Sequence, residues 1–517
     1  MALIRTRGYL AKVGRRALVG LSVSVLLGGC AMTQGILATL GPDYRKPEVQ
    51  PAQWNPPAAA ASTTGAAASN APLAPQLAPH VAHGGSATAL AAWWQQFNDP
   101  VLTQLIDAAQ AASANLVQAV ARIERARADA VAAGAAGNPS LDATAGANRS
   151  AFSFGGPALQ RTQATVGLQS SWEIDLFGGL ARQRESARAQ LDANVAAWHE
   201  ARVALAAEVA SAYANYRFCE MQTDLARADA NSRAETARLT GIAANAGLQS
   251  PASAALARAS AADGASAFGQ RQALCEIDIK GLVALTAKDE LALRALLARA
   301  AGAPATLPRP AQFAIDALPA TVLAQRPDVA AAERDVAVAS AGIGVAEAER
   351  YPRLSLTGNV TPTRSRLDGS PGISLTTWSI GPSLTVPLLD GGRRAANADA
   401  ARAQYAAAEA AYRAKVRNAV REVEEAMVRI AAVQARTNDT HAAASGYRQS
   451  LEAARTRQRA GLGSLIEMED ARRTSLAADG AVAALAFEGL NAWITLYRAA
   501  GGGWDGKLEP NMARVKP

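Results

Sequence analysis

From Val166 to Leu176 the even positions are mainly apolar and the odd positions mainly polar. The same period of two returns in the second half of the chain, where Trp378, Ile380, Leu384, Val386 and Leu388 fall on one face. Alternation sustained over about ten residues predicts β-strands. Two surroundings produce it equally: a transmembrane barrel, apolar toward lipid and polar toward a lumen, or a half-buried strand of a soluble sandwich. The segments near 140–151 and 353–364 stand where hairpin partners belong but alternate poorly.

Much of the remaining chain reads as helix. Residues 180 to 240 and residues 393 to 445 contain neither Gly nor Pro. At 1.5 Å rise per residue these stretches predict helices of ~90 and ~80 Å. Such lengths do not fit a compact domain and suit a coiled-coil tube or stalk. Each is followed by a Gly-Leu turn, Gly247-Leu248-Gln249-Ser250 and Gly461-Leu462-Gly463-Ser464, and then by a returning helix.

The two halves match at an offset of 213 to 214 residues. Asn138-Pro139-Ser140-Leu141 aligns with Tyr351-Pro352-Arg353-Leu354, and Leu176-Phe177-Gly178-Gly179 with Leu389-Asp390-Gly391-Gly392. Ala187-Arg188-Ala189-Gln190 recurs as Ala401-Arg402-Ala403-Gln404, and the Gly-Leu turns align as well. Each half reads helix, Pro, two strands, Gly-Gly turn, very long helix, Gly-Leu turn, returning helix. An internal duplication is therefore expected. Four strands do not close a barrel, and open edges are not tolerated in hydrocarbon. If the strands cross a membrane, several chains must share the barrel: two would give a filled eight-stranded interior, three a lumen within twelve.

Composition adds location. Arg5, Arg7, Lys12, Arg15 and Arg16 precede a short apolar run from Ala17 to Leu27, the pattern of a secretory leader. Leu27-Gly28-Gly29-Cys30 resembles a bacterial lipobox, which implies cleavage before Cys30 and its acylation. Ala31, rather than Asp, implies outer-membrane sorting. Without the leader's five cations the formal charge drops from +8 to +8 − 5 = +3, which removes support for nucleic acid as a partner. The expected segments are a signal peptide at 1–29, a lipid-anchored leash rich in Pro, Ala and Ser at 30–90, one repeat at 91–310, a second at 311–504, and a tail at 505–517. No catalytic set, metal spacing or cofactor motif is visible beyond the lipid on Cys30; His80, His83, His199 and His441 are scattered.

Cys219 lies 28 residues before Gly247 and Cys275 lies 28 after it. In an antiparallel helical hairpin they stand at one height, so an oxidising compartment would join them, unless the rotation of the helices leaves two free thiols.

These motifs together resemble the TolC-like outer-membrane efflux proteins, in particular the acylated drug-efflux branch of NodT/OprM type. The resemblance rests on Gly41-Pro42-Asp43-Tyr44-Arg45-Lys46-Pro47, the run Trp93 to Leu102, Arg326-Pro327-Asp328-Val329, the two strand-to-helix joins and Ala500-Gly501-Gly502-Gly503-Trp504. It implies an α+β membrane protein. This would be a homotrimer with a twelve-stranded transmembrane β-barrel, four strands per chain, continued by an α-helical coiled-coil tunnel through the periplasm. It implies a passive, non-enzymatic exit duct for small toxic compounds. A periplasmic adaptor would grip the two turns (Gly247, Leu248, Gln249, Ser250; Gly461, Leu462, Gly463, Ser464). An inner-membrane pump of RND type would supply energy. A type I protein-secretion exit and a structural periplasmic coiled-coil lipoprotein are the alternatives. By the family's motif Asp470 faces a narrow aperture, with Ile466 as an apolar constriction one turn earlier. Glu467, Asp470 and Arg473 share one helical face. Rings of three carboxylates would favour cations, with Glu467 and Glu469 adding acidity, and Arg473 would lock the gate through intersubunit pairs with Asp470. A solvated face of weak ion pairs is the plainer reading.

Overall fold

The computed structural model describes residues 35–47, 90, 93–97, 99–153, 155–300, 306–309 and 323–506. Cys30, most of the leash expected over 30–90 and the tail from 507 lie outside the described residues. A 3-10 turn, Trp93–Phe97, precedes α1 (Pro100–Ala112) and α2 (Ala114–Ala135). Strands β1 (Ser140–Phe152) and β2 (Leu159–Ile174) lead into α3 (Gly179–Asn245), α4 (Pro251–Thr286) and α5 (Glu290–Ala300). The order then resumes with α6 (Pro327–Ala348), β3 (Arg353–Leu367), β4 (Ile373–Thr385), α7 (Arg393–Arg459) and α8 (Leu465–Ala499). Helices α3 and α7 have 67 residues each, ~100 Å at helical rise. No described helix is long and apolar enough to cross a membrane.

By compactness the described chain falls into two units. One comprises residues up to 47, 122–193 and 332–411; the other takes 48–121, 194–331 and 412 onward. The first holds the sheet, a single antiparallel layer in the order β1-β2-β3-β4. β2 begins seven residues before the periodic signal at Val166, because Gln160 to Gln163 is polar on both faces and interrupts the period. Val386 and Leu388, expected on the strand face, instead lie past the end of β4. The last ladder pair is Arg353 with Thr385, and Pro387 has no N–H to extend it.

Residues 35–47 correct the expected leash. Ile36 and Leu37 donate backbone N–H bonds to the carbonyls of Asp175 and Leu176 at 2.8 and 2.9 Å. Buried Arg182 donates to the carbonyls of Leu40 and Gly41 and pairs with Asp43 at 2.7 Å. Tyr44 and Lys46 both reach Glu333, whose carboxyl is held below the usual range by its cations, Lys46 and Arg334, against the opposing effect of burial. Gly41 and Gly344 approach so closely that a Cβ on Gly41 would lie 2.5 Å from the Gly344 Cα. The sequence here is as rich in Gly and Pro as the leash that follows, and composition does not reveal the docking.

The second unit holds the main core. Trp93, stacked on Tyr497 with ring centroids 4.9 Å apart, packs with Leu105, Val209, Tyr213, Leu282, Leu293 and Trp493. Asp99 caps α1 by accepting the N–H groups of Val101 and Leu102, and its other oxygen accepts the Tyr213 hydroxyl at 2.9 Å. Buried Arg326 grips Asp328 through two bonds, the Ala499 carbonyl at 3.0 Å and Glu422 at 2.7 Å. Burial works against both charges. Their pairing outweighs it, raising the guanidinium pKa and holding the Asp328 carboxyl below its usual range. Cys219 and Cys275 are disulfide-bonded, their Cα atoms 5.5 Å apart, and the Thr223 hydroxyl lies 3.2 Å from the Cys275 sulfur.

Candidate functional site

The sheet has two chemically distinct faces, and its register shows them row by row. Ala143, Leu168, Val360 and Trp378 form one continuous row across the four strands. The next row, on the opposite face, is Asp142, Gln169, Asn359 and Ser379, with the Asn359 amide donating to the Ser379 hydroxyl at 3.0 Å. The apolar face has no second layer among the described residues: Val166 is 64% exposed, Trp378 73% and Ile380 71%. Between residues 163 and 168 of β2 the polar-side residues are the more enclosed. Thr165 is half-buried and Gly167 is buried, whereas Ala164, Val166 and Leu168 are exposed. A Cβ on Gly167 would meet the Thr361 hydroxyl at 3.0 Å. A sandwich strand needs a covering layer on the apolar side. Among the described residues there is none, and β1 and β4 leave both edges of the sheet open.

The second unit holds the two matched turns. Gly247 and Gly461 take left-handed φ values of 75° and 73°, which glycine adopts without the Cβ penalty. Leu248 N–H reaches back to the Ala243 carbonyl and Leu462 N–H to that of Arg457, both at 2.8 Å, closing the last turns of α3 and α7 alike. Ser250 and Ser464 then cap α4 and α8, their hydroxyls accepting the N–H groups of Ser253 and Glu467 at 3.0 Å. Leu248 and Leu462 stand exposed at 78% and 81%. Gln249 and Gly463 complete the turns between these caps.

Just past the second turn the charged residues divide. Ile466 is exposed. Glu467 pairs with Arg457 of the preceding helix. Asp470 and Arg473 pair with each other on α8, so within one chain the arginine expected to bridge subunits already has a partner. Glu469, expected to add acidity to a ring, is instead buried. Its carboxylate accepts the Ser232 hydroxyl of α3 and lies 3.4 Å from Arg472, which also donates to Ser232. Sequence reasoning missed this triad; the signal available was Glu469 falling next to Met468, also buried against α7. It also missed His199, buried between Trp198 and Trp504 with no hydrogen-bond partner for either ring nitrogen among the described residues. Burial, with the nearby Arg202 guanidinium, lowers its pKa to about 4. Among the described residues no group of His, Cys, Asp and Glu is arranged to hold a metal.

Residues 105–286 and 318–502 match the profile of the outer membrane efflux protein family. The chain belongs to this family. It is 29% identical to nodulation protein T of Rhizobium leguminosarum bv. viciae over 448 residues, 86% of each chain. It is 28% identical to the toluene efflux pump outer membrane protein TtgI of Pseudomonas putida, covering 93% of this chain and 97% of that one. Among solved structures the outer-membrane channel OprN superposes with a TM-score of 0.73 at 28% identity, over 90% of this chain and all of that one. The predominance of helix with one four-stranded sheet is thus the family's fold, and the efflux protein's place is the outer membrane.

Proposed function

We propose that three copies of this chain form the outer-membrane exit duct of a tripartite efflux system. The observation that carries this reading is the sheet: among the described residues it has two open edges, an apolar face without cover, and a polar face opposite. Lipid is the surrounding that suits the apolar face, and closure with neighbouring copies is what satisfies the edges. Twelve strands from three chains leave a water-filled lumen lined by the Asn, Gln, Ser and Thr face. The duct continues through the periplasm as the long helices of a coiled-coil tunnel. The order helix, two strands, 67-residue helix, returning helix occurs twice, and we read it as an internal duplication.

Acylation of Cys30 adds a second attachment and an orientation. Five peptide steps separate Cys30 from Gly35, a reach of at most ~18 Å. Ile36 to Leu40 are docked on the join between β2 and α3, so a lipid on Cys30 would be tethered at that end of the sheet. The joins then face the periplasm, and the β1-β2 and β3-β4 hairpin tips face outward. A periplasmic adaptor engages the turns at Gly247–Ser250 and Gly461–Ser464, and an inner-membrane pump of RND type supplies the energy. Ile466, Asp470 and Arg473 form the constriction at the tip. Small toxic compounds are the cargo class; a relative named for toluene efflux supports it. The test is accumulation of a fluorescent efflux dye in a strain lacking its own outer-membrane ducts but supplied with the matching adaptor and pump. Expression of this chain is expected to lower accumulation severalfold. Accumulation equal to that of the empty strain would overturn the proposal.

A further inference from the structure

The apolar face of the sheet changes character toward the hairpin tips. Rows of Leu, Val, Ile and Trp give way to Arg149, Arg364 and Arg366, all on that same face. Arg149 and Arg366 are both register partners of Thr162, on either side of β2. They stand two strand spacings apart, ~10 Å, with Arg364 two residues further along β3, ~7 Å away. All three are exposed. Arg149 donates to the Gln160 amide oxygen at 2.5 Å, a neutral partner. In the stretches 149–161 and 364–374 the only acid is Asp368. The acids of the strands, Asp142 and Glu173, belong to the opposite end of the sheet.

The height of this arginine group is informative. From Trp172, whose indole N–H bonds the Gly137 carbonyl at the periplasmic end, to the Thr162 row is ten residues of β2. That is ~33 Å along the strand, and ~25 Å along the membrane normal at the tilt of a barrel strand. The distance equals the apolar band of an outer-membrane barrel. Lipid-facing arginine is costly at the middle of that band and nearly free at its edge. The three guanidinium groups therefore lie level with the head groups of the outer leaflet, three cations against one nearby carboxylate, Asp368, two residues past Arg366 with its N–H on the Gln160 carbonyl at 2.9 Å. Guanidinium groups match phosphate oxygens bidentately, and several within ~10 Å of one another suit a head group with more than one phosphate.

We propose that Arg149, Arg364 and Arg366 form a binding site for a phosphorylated acyl glycolipid of the outer leaflet, three sites per trimer. This rests on the barrel proposed above. The arginines replace the divalent cations that otherwise bridge such phosphates, and the lipid seals the outer rim of the barrel.

The test is native mass spectrometry of the detergent-solubilised trimer with bis-phosphorylated lipid A, its monophosphoryl derivative or phosphatidylglycerol. Arg161 is the control. It lies at the same height but on the polar face, bonded to the Ser365 hydroxyl at 3.0 Å. Wild type and Arg161→Gln are expected to retain lipid A alike. The triple variant Arg149→Gln/Arg364→Gln/Arg366→Gln should retain it roughly tenfold less, and removing one phosphate from the lipid should weaken binding to wild type. If the triple variant does not assemble, Arg364→Gln and Arg366→Gln singly should each cut retention severalfold. Retention unchanged in these variants, or lost equally in Arg161→Gln, overturns the site. Equal retention of phosphatidylglycerol overturns the glycolipid assignment. A wild-type protein that gives no trimer overturns the duct itself, which is a separate result from a trimer that does not discriminate among lipids.

Discussion

Ser232 on α3 and Glu469 on α8, 237 residues apart in sequence, meet in a buried hydrogen bond that ties one arm of the first helical hairpin to the returning arm of the second. Arg472 completes the contact, and its Nε has no hydrogen-bond partner among the described residues. Replacing Glu469 with Ala takes the partner from the buried Ser232 hydroxyl and the half-buried Arg472 guanidinium, a loss of about 2–3 kcal/mol. Amide exchange over residues 465–476 is expected to speed up by about a hundredfold in Glu469→Ala and much less in Glu469→Gln. Equal protection in wild type and Glu469→Ala would show that the contact does not hold the tip.

The disulfide between Cys219 and Cys275 closes a loop of 56 residues. Chain entropy sets its contribution at no more than about 4 kcal/mol. It sits far from the turns, so reduction is expected to loosen the α3–α4 hairpin without closing the duct. Non-reducing peptide mapping of protein from the envelope should recover the two cysteines linked. With reductant, exchange should rise between 219 and 275, while Cys219→Ser still supports dye efflux. Two free thiols in the mapped protein, or an inactive Cys219→Ser, would contradict this.

Asp470 and Arg473 give a test of the aperture. Within one chain they neutralise each other, which leaves two roles: a solvated pair, or a pair that exchanges partners between subunits at the constriction. The gate account expects single-channel conductance to rise by about half or more in Asp470→Ala or Arg473→Ala, because loss of either charge frees the other from a closed ring. Conductance unchanged in both variants leaves only the surface pair.

His199 makes the fold sensitive to acid. Its pKa is about 4 in the folded chain, below the ordinary 6.5, because burial and Arg202 disfavour the imidazolium. The unfolded chain therefore binds the extra proton first, and stability falls as pH drops from 6.5 toward 4. The full shift corresponds to about 3 kcal/mol per chain. In thermal melts His199→Leu is expected to lose part of the destabilisation that wild type shows across that acid window. Parallel curves for the two proteins there would rule out His199 as the source.

The sequence exposed what is periodic and what breaks periodicity. The long helices were legible because nothing interrupts 180–240 or 393–445. The structure carries them on through Gly241 and Gly446, where tertiary packing overrides glycine's weak preference. The height of the cysteine pair followed from helix rise, but the rotation that lets them bond did not. The strand faces were legible only where the apolar residues were large. Leu159 to Thr165 is strand all the same, because its partners on β1 and β3 supply the ladder. At the tip, Glu469 and Asp470 are neighbours in sequence and look alike. Only the position of Ser232, brought in from another helix, separates the buried carboxylate from the exposed one. The docking of residues 35–47 was invisible for the same reason, since it depends on Arg182 and Glu333 arriving from distant elements.

In the proposed duct, four strands per chain become a conduit only by closure among three chains. Native mass spectrometry of the acylated, detergent-solubilised protein, on samples whose circular dichroism shows the full β-sheet content, tests it most directly. A mass of three chains is expected, with sheet content and trimer lost together on heating. A stable monomer that keeps its full sheet content would contradict it.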